Sequence, residues 1–181
     1  MTNFEPPAPF VPPSALQAKV EAALLTRGWA YIVKALKGGH RTRLVLEGAD
    51  ELWNITIEVW DAIDAAVVRA RPWLLAPSAR RAELALLLSR INEGLVLGNF
   101  EMDLDTGAVA FKASLDASIL GEVAVDAVEG LIDTVMRSCV TFLPAIQAVV
   151  EEGQDAEMAY IFFNAIDESE ELPGAPDADP S

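Results

Sequence analysis

Residues 103–111, Asp-Leu-Asp-Thr-Gly-Ala-Val-Ala-Phe, carry the strongest local hint of chemistry in this chain. Asp-Thr-Gly followed by apolar residues is the loop pattern of aspartic-protease catalysis, and Ile119-Leu120-Gly121 adds an apolar-apolar-Gly companion. That chemistry needs two carboxylates close enough to share a proton. Each must sit on a loop backed by a distant part of a β-rich fold. Here the companion Gly121 follows Gly107 by only 14 residues, too little chain to build the supporting layers, and much of the sequence reads as helix. A calcium loop fails for a different reason. Asp103-x-Asp105-x-Gly107 sets carboxylates at alternate positions, but Val109, Phe111 and Ala113 stand where further oxygen ligands are needed. The stretch is read as a hairpin turn, with Gly107 supplying a positive φ and Asp105 bonding its own turn backbone.

The other reactive residues are few. His40 is the single histidine, so a Ser-His-Asp triad or a histidine metal cluster is incomplete within one chain; it is read as a solvated turn residue beside Arg41. Cys139, the single cysteine, excludes an internal disulfide framework and lies on an apolar helix face, where it is read as a small core residue. Gly94 and Gly98 form no phosphate-cradling loop. The pairs Arg69–Arg71 and Arg80–Arg81 have the chemistry to seat a carboxylate or phosphate, though solvated faces account for them as well. No enzyme, metal site or cofactor site is read from these residues.

The elements that must position these residues follow from pattern. With 181 residues, 52% of them apolar and 23% charged, the chain is globular and long enough for one domain with a real core. Its apolar runs are broken by charge well short of a membrane span, and no basic-then-apolar leader opens it; a cytoplasmic protein is expected. The net charge of −15 is unevenly placed: residues 1–90 hold 11 Lys/Arg and 9 Asp/Glu, residues 91–181 only 2 and 19. An acidic half of that kind disfavours direct contact with nucleic acid, which needs cations to displace counterions. It favours basic partners, or simply solubility.

Residues 1–13, with five prolines, are expected to form a flexible arm. Ser14 then caps a helix carrying Leu16, Val20, Ala23 and Leu24 on one face, stopped by Gly28. Residues 29–36 fit either a helix or a strand. Strands are expected at 42–47, 52–60 and 65–71, the second by strict alternation of Trp53, Ile55, Ile57 and Val59 with polar residues. Ser78 is expected to cap a second helix with Leu84, Leu87, Leu88 and Ile91 buried and Arg80, Arg81 and Arg90 in water. Two more strands put Val96, Phe100, Met102 and Leu104 on one side, then Val109, Phe111, Ala113 and Leu115. A long helix over 122–150 has an unusually wide apolar face and a kinking Pro144. Residues 160–163, Tyr-Ile-Phe-Phe, are expected to form a last helical turn before an acidic tail. The domain division is thus 1–13 arm, 14–166 single α+β domain, 167–181 disordered tail.

The run from Arg69 to Leu115, followed by Phe142 to Ala159, resembles the YbjN family. Its pattern is a strand ending before Pro, a helix leading to Asn, Gly-x-Phe-Glu, an Asp-x-x-x-Gly hairpin, then a long helix with a late Pro. Here those positions are Pro77, Asn92, Gly98, Phe100, Glu101, Asp103, Gly107, Phe111 and Pro144, within residues 43–159; residues 29–36 depart from the pattern. The resemblance implies an antiparallel sheet with helices, ordered helix, three strands, helix, two strands, long helix. That fold is similar to class I type III secretion chaperones, which are acidic, dimeric and non-catalytic. Within the family the sequence looks like chaperone-like members of radiation-resistant bacteria that bind the single-stranded-DNA-binding protein DdrB.

The functional expectation is therefore a non-catalytic, homodimeric chaperone-like or adaptor protein with a protein client. The wide apolar face motivates it, because one sheet covers about half of a helix. The expected dimer or partner interface is Val128, Leu131, Ile132, Val135, Met136, Phe142 and Ile146, with Tyr160, Phe162 and Phe163 in the C-terminal patch. The alternative is a sensory or regulatory protein that grips a small anionic ligand across a dimer through Arg69, Arg71, Arg80 or Arg81.

Overall fold

Ser14 accepts a hydrogen bond from the Gln17 amide at 3.2 Å and starts α1 (Ala15–Thr26). At the other end, the Gly28 and Trp29 amides bond the Leu25 and Leu24 carbonyls, which closes the helix. The computed structural model describes residues 12–47, 51–119 and 124–169. Most of the proline-rich arm, the 48–50 link, Leu120–Gly121 and the tail beyond 169 lie outside the described residues.

The ambiguous segment resolves as a strand, β1 (Ile32–Leu36), which turns through Lys37–Gly38 into β2 (Gly39–Glu47). Gly39 decides its type. A Cβ there would sit 2.0 Å from the Val59 carbonyl oxygen, so the chain can press against β3 (Leu52–Trp60) only with glycine at this point. β3 pairs with β4 (Ala65–Pro72), completing an antiparallel meander. A short 3-10 turn over Ser78–Arg80 leads into α2 (Arg81–Gly94). β5 (Asn99–Met102) and β6 (Val109–Asp116) form the second hairpin, and β6 joins β4. The result is one six-stranded antiparallel sheet in the order β1-β2-β3-β4-β6-β5. α3 (Val125–Val150) and α4 (Ala156–Ser169) complete an α+β fold.

The period of two in the strands sorts the sheet into two faces. Trp53, Ile55, Ile57 and Val59 of β3, Ala66, Val68 and Ala70 of β4, and Val109, Phe111 and Ala113 of β6 are buried beneath the helices. α1 lies on β3, α3 on β4 and β6, and α2 on β5, while α4 packs on α2 and α3. All four helices share this face. The opposite face carries Arg43, Asn54, Thr56, Glu58, Arg69, Arg71 and Lys112, and no described helix covers it.

Several local expectations are corrected. Ser78 does not cap α2: Pro77 precedes the 3-10 turn, and neither it nor Arg80 offers a side-chain cap bond. β5 is shorter than its alternation implied, with Val96 and Leu104 outside it and exposed. His40 is not a solvated turn residue. It lies in β2, paired with Val59, and is 3% exposed, with a ring nitrogen 3.7 Å from an Asp61 carboxylate oxygen. The 160–163 patch belongs to a full helix: the Asp155 carboxylate accepts from the Met158 amide and Glu83 accepts from Ala156, which starts α4 and ties it to α2. α4 runs from Ala156 to Ser169.

Candidate functional site

The two free edges of the sheet differ in what is done with their main chain. At β5 the chain enters from α2, and the Asn92 side chain bonds both main-chain groups of Phe100, accepting from its amide at 2.7 Å and donating to its carbonyl at 3.0 Å. The turn beyond β5 is locked as well. The Asp103 carboxylate accepts the amides of Asp105 and Thr106, each at 2.9 Å, so the residue that bonds the turn is Asp103 and not Asp105. Those two amides hold the Asp103 carboxyl below its usual range, with Arg71 a lesser influence. Gly107 has φ +80, and a Cβ there would lie 2.0 Å from the Ala76 carbonyl oxygen; that close approach lets the Ala76 amide bond the Gly107 carbonyl at 2.9 Å. Arg81 seals the corner by donating to the carbonyls of Ala76, Leu104 and Asp105. Asp103 and Asp105 thus serve a hairpin corner.

At β1 nothing comparable happens. The two residues flanking a two-residue turn form a hydrogen-bonded pair, here Leu36 and Gly39, and such pairs alternate along the strands. The N–H and C=O groups of Val33 and Ala35 therefore face away from β2. Ile32, Val33, Lys34 and Ala35 are exposed, Ile32 to 70%. Apart from Lys34 this edge is apolar, and no described element lies along it. An open edge of this kind is a template for another strand.

The bare sheet face adds a second feature. Glu58 receives Arg41 at 2.7 Å and Arg69 at 3.2 Å, and Arg69 with Lys112 also pairs Glu101. Burial pushes the Glu101 carboxyl up, but Lys112 and Arg69 more than offset it and hold it below its ordinary value. Arg69 is thus engaged inside a charge ladder. Arg80 donates to the carbonyls of Val149, at 2.8 Å, and Gln154, anchoring the α3–α4 link. Of the four arginines read as anion ligands, Arg69, Arg80 and Arg81 are held by the protein's own oxygens, and Arg71 has no ion pair within 4 Å among the described residues. They are not brought together as one site.

The hydrophobic candidates divide in the same way. Val128, Ile132, Val135 and Ile146 lie in the core of their own chain, each at most 1% exposed, and so offer no surface for a second polypeptide. The wide face of α3 has a simpler cause than a partner: the sheet, α1, α2 and α4 all pack on it. Phe142 is half-buried in an aromatic chain, 5.7 Å from Phe100 and 4.6 Å from Phe163 between ring centroids. Leu131, Met136 and Tyr160 are half-buried against the core, and Phe162 is exposed beside Pro144 at a small apolar cleft between α3 and α4. Met136, Val140 and Leu143, spaced by four and three, share an accessible flank of α3. Cys139 is buried with its thiol pushed up to about 12, chiefly by burial; it is a core residue. Among the described residues no group of three His, Cys, Asp or Glu side chains is placed to hold a metal, and no helix is long and apolar enough to cross a membrane.

Compared with known proteins, residues 17–148 match the YbjN family, described as "Putative bacterial sensory transduction regulator". The chain belongs to the YbjN family. No curated protein matches it. The YbjN positions read in the sequence now have structural reasons. Asn92, Gly98, Phe100, Asp103, Gly107 and Phe111 build the closed β5–β6 corner, with Phe100 packed edge-on to Phe111 at 4.9 Å. In this YbjN protein the recognisable motif secures the fold, and the surfaces left open lie elsewhere. The β1 edge escaped sequence reasoning because Trp29, Ile32, Val33 and Leu36 also fit a helical face; the Gly38-Gly39 pair was the available signal for a turn.

Proposed function

We propose that this YbjN protein is a non-catalytic, chaperone-like adaptor that holds an extended segment of another protein as an added strand along β1. The observation that supports this reading is the contrast at β1: four exposed residues, three of them apolar, with outward N–H and C=O groups at Val33 and Ala35 that no described element covers. Strand addition draws affinity from main-chain bonds and selectivity from alternate side chains. An adaptor of this kind is compatible with the regulatory role in the family's description.

The client is a protein, and a single-stranded-DNA-binding protein such as DdrB is the candidate raised by the likeness to chaperone-like relatives. The acidic half suits a basic client and argues against direct nucleic-acid contact. Self-association as a homodimer is part of the same reading. With Val128, Ile132, Val135 and Ile146 internal, its surface is the α3 flank of Met136, Val140 and Leu143. Similarity to type III secretion chaperones supports both features by analogy.

The test is paired capture from lysate of the source cell, with nuclease present. Wild type and Val33→Pro serve as baits, because proline removes the outward N–H without touching a β1–β2 bond. A protein retained by wild type and lost with Val33→Pro supports strand addition. Equal retention by both baits overturns it. Sedimentation of wild type and Val140→Glu tests the dimer: a monomer at micromolar concentration for wild type removes that part of the reading.

A further inference from the structure

The bare sheet face holds two adjoining concavities. The first, about 600 Å3, crosses the strands and is lined by Ile32, Arg43, Val45, Asn54, Thr56 and Arg71. The second, about 270 Å3, opens beside it at the end of β4 and is lined by Trp73, Leu75 and Ala108, and again by Asn54 and Arg71. These two shared residues form the wall between a basic basin and an apolar one. The first has the volume of a small-molecule site, and the second adjoins it.

The charges around the first basin are not neutralised from within. Glu58 and Glu101 are taken by Arg41, Arg69 and Lys112. The Arg43 side chain has no ion pair or hydrogen bond among the described residues, and Arg71 has only the field of Asp103 beyond ion-pair distance. Two unpaired guanidinium groups on one concave face stand out in a chain of net charge −15. Asn54 and Thr56 between them add neutral hydrogen-bonding groups. On the apolar side, Trp73 is 70% exposed and Leu75 63%. Trp and Arg are among the residue types most enriched where binding energy concentrates.

We infer that this face binds an amphipathic organic anion, its carboxylate or phosphate head on Arg43 and Arg71 and its apolar body against Trp73 and Leu75. The planar guanidinium fork suits either head group, through paired N–H donors. The site lies within one chain and requires neither a dimer nor a client, so it differs from an anion site assembled across subunits.

Calorimetric titration with octanoate, octyl phosphate, octylammonium and inorganic phosphate, each below its aggregation threshold, tests this. Octanoate or octyl phosphate should bind, and the tighter of the two identifies the head group. Octylammonium should bind at least tenfold more weakly than the better anion, and inorganic phosphate at least tenfold more weakly than octyl phosphate. Arg71→Gln and Arg43→Gln should each weaken the better anion about tenfold. Trp73→Ala should weaken the octyl compounds and leave inorganic phosphate unchanged. These side chains lie on the surface, so unchanged thermal unfolding of the variants shows that the fold persists. Octylammonium binding as tightly as the anions, or an unchanged affinity in Arg71→Gln, would overturn the proposal.

Discussion

The two edge strands of one sheet have been treated in opposite ways. β5 is four residues long, its outward Phe100 groups are capped by Asn92, and its turn is closed by Asp103, Gly107 and Arg81. β1 is five residues long, mostly apolar, and uncovered on its outer side by any described element. A sheet edge left open invites unwanted pairing, so natural proteins blunt such edges with short strands, side-chain caps or charge. Here the blunting is thorough at one end and limited to Lys34 at the other. The difference teaches where to look for a partner: Asn92, Asp103, Gly107 and Arg81 guard the closed edge, and the open one carries the accessible main chain.

The closed corner can be broken in graded steps. Gly107→Ala places a Cβ 2.0 Å from the Ala76 carbonyl at a φ of +80; we expect a loss of about 3 kcal/mol or more, read as a lower urea midpoint. Asn92→Ala leaves both outward groups of Phe100 without their side-chain partner and should cost about 2 kcal/mol. It should also turn β5 into a second open edge, seen as concentration-dependent association by light scattering; an unchanged size distribution would mean that Asn92 does not guard that edge.

How much of this was legible beforehand depended on whether one pattern had one explanation. The alternation in β3 could be read directly, because a half-buried strand is its simplest cause. The spacing of Leu84, Leu87, Leu88 and Ile91 likewise identified the buried face of α2. α4 was underread, although Asp155 ahead of Ala156, Ala159 and Phe163 is a cap followed by a helical stripe. The face of α3 was read as apolar and assigned to a second polypeptide; Val128, Ile132, Val135 and Ile146 are covered by elements of the same chain, which accounts for part of its width. The bare face left a trace too, in Arg41, Arg43, Arg69 and Arg71 at alternate positions. The short links after β2 and β3 imply neighbouring antiparallel strands, but that Arg43 and Arg71 share one concavity depends on the register across β2, β3 and β4, which link length alone does not set.

Smaller perturbations sharpen the comparison. Val33→Pro should cost under about 1 kcal/mol, since its N–H faces outward from an edge strand; a larger loss would show that this amide is used within the fold. The weakest expected effect is at the clamp between α1 and α3, where Arg27 donates to both Asp133 oxygens at 2.7 and 2.8 Å. The Arg27 bond holds the Asp133 carboxyl below its usual range. A carboxyl depressed in the folded state stabilises it above the unfolded value and loses that contribution as pH falls through the folded one. Asp133 is half exposed, so Asp133→Asn should cost under about 1 kcal/mol at pH 7, with the difference from wild type vanishing in strong acid.

The most direct test of the open-edge account is amide hydrogen exchange at Val33 and Ala35, measured with and without the protein captured by the wild-type bait. Bound client should slow exchange at those two amides at least tenfold and leave β5 unchanged. Slowing confined to β5 or to the α3 flank, with Val33 and Ala35 exchanging as in the free protein, would contradict it.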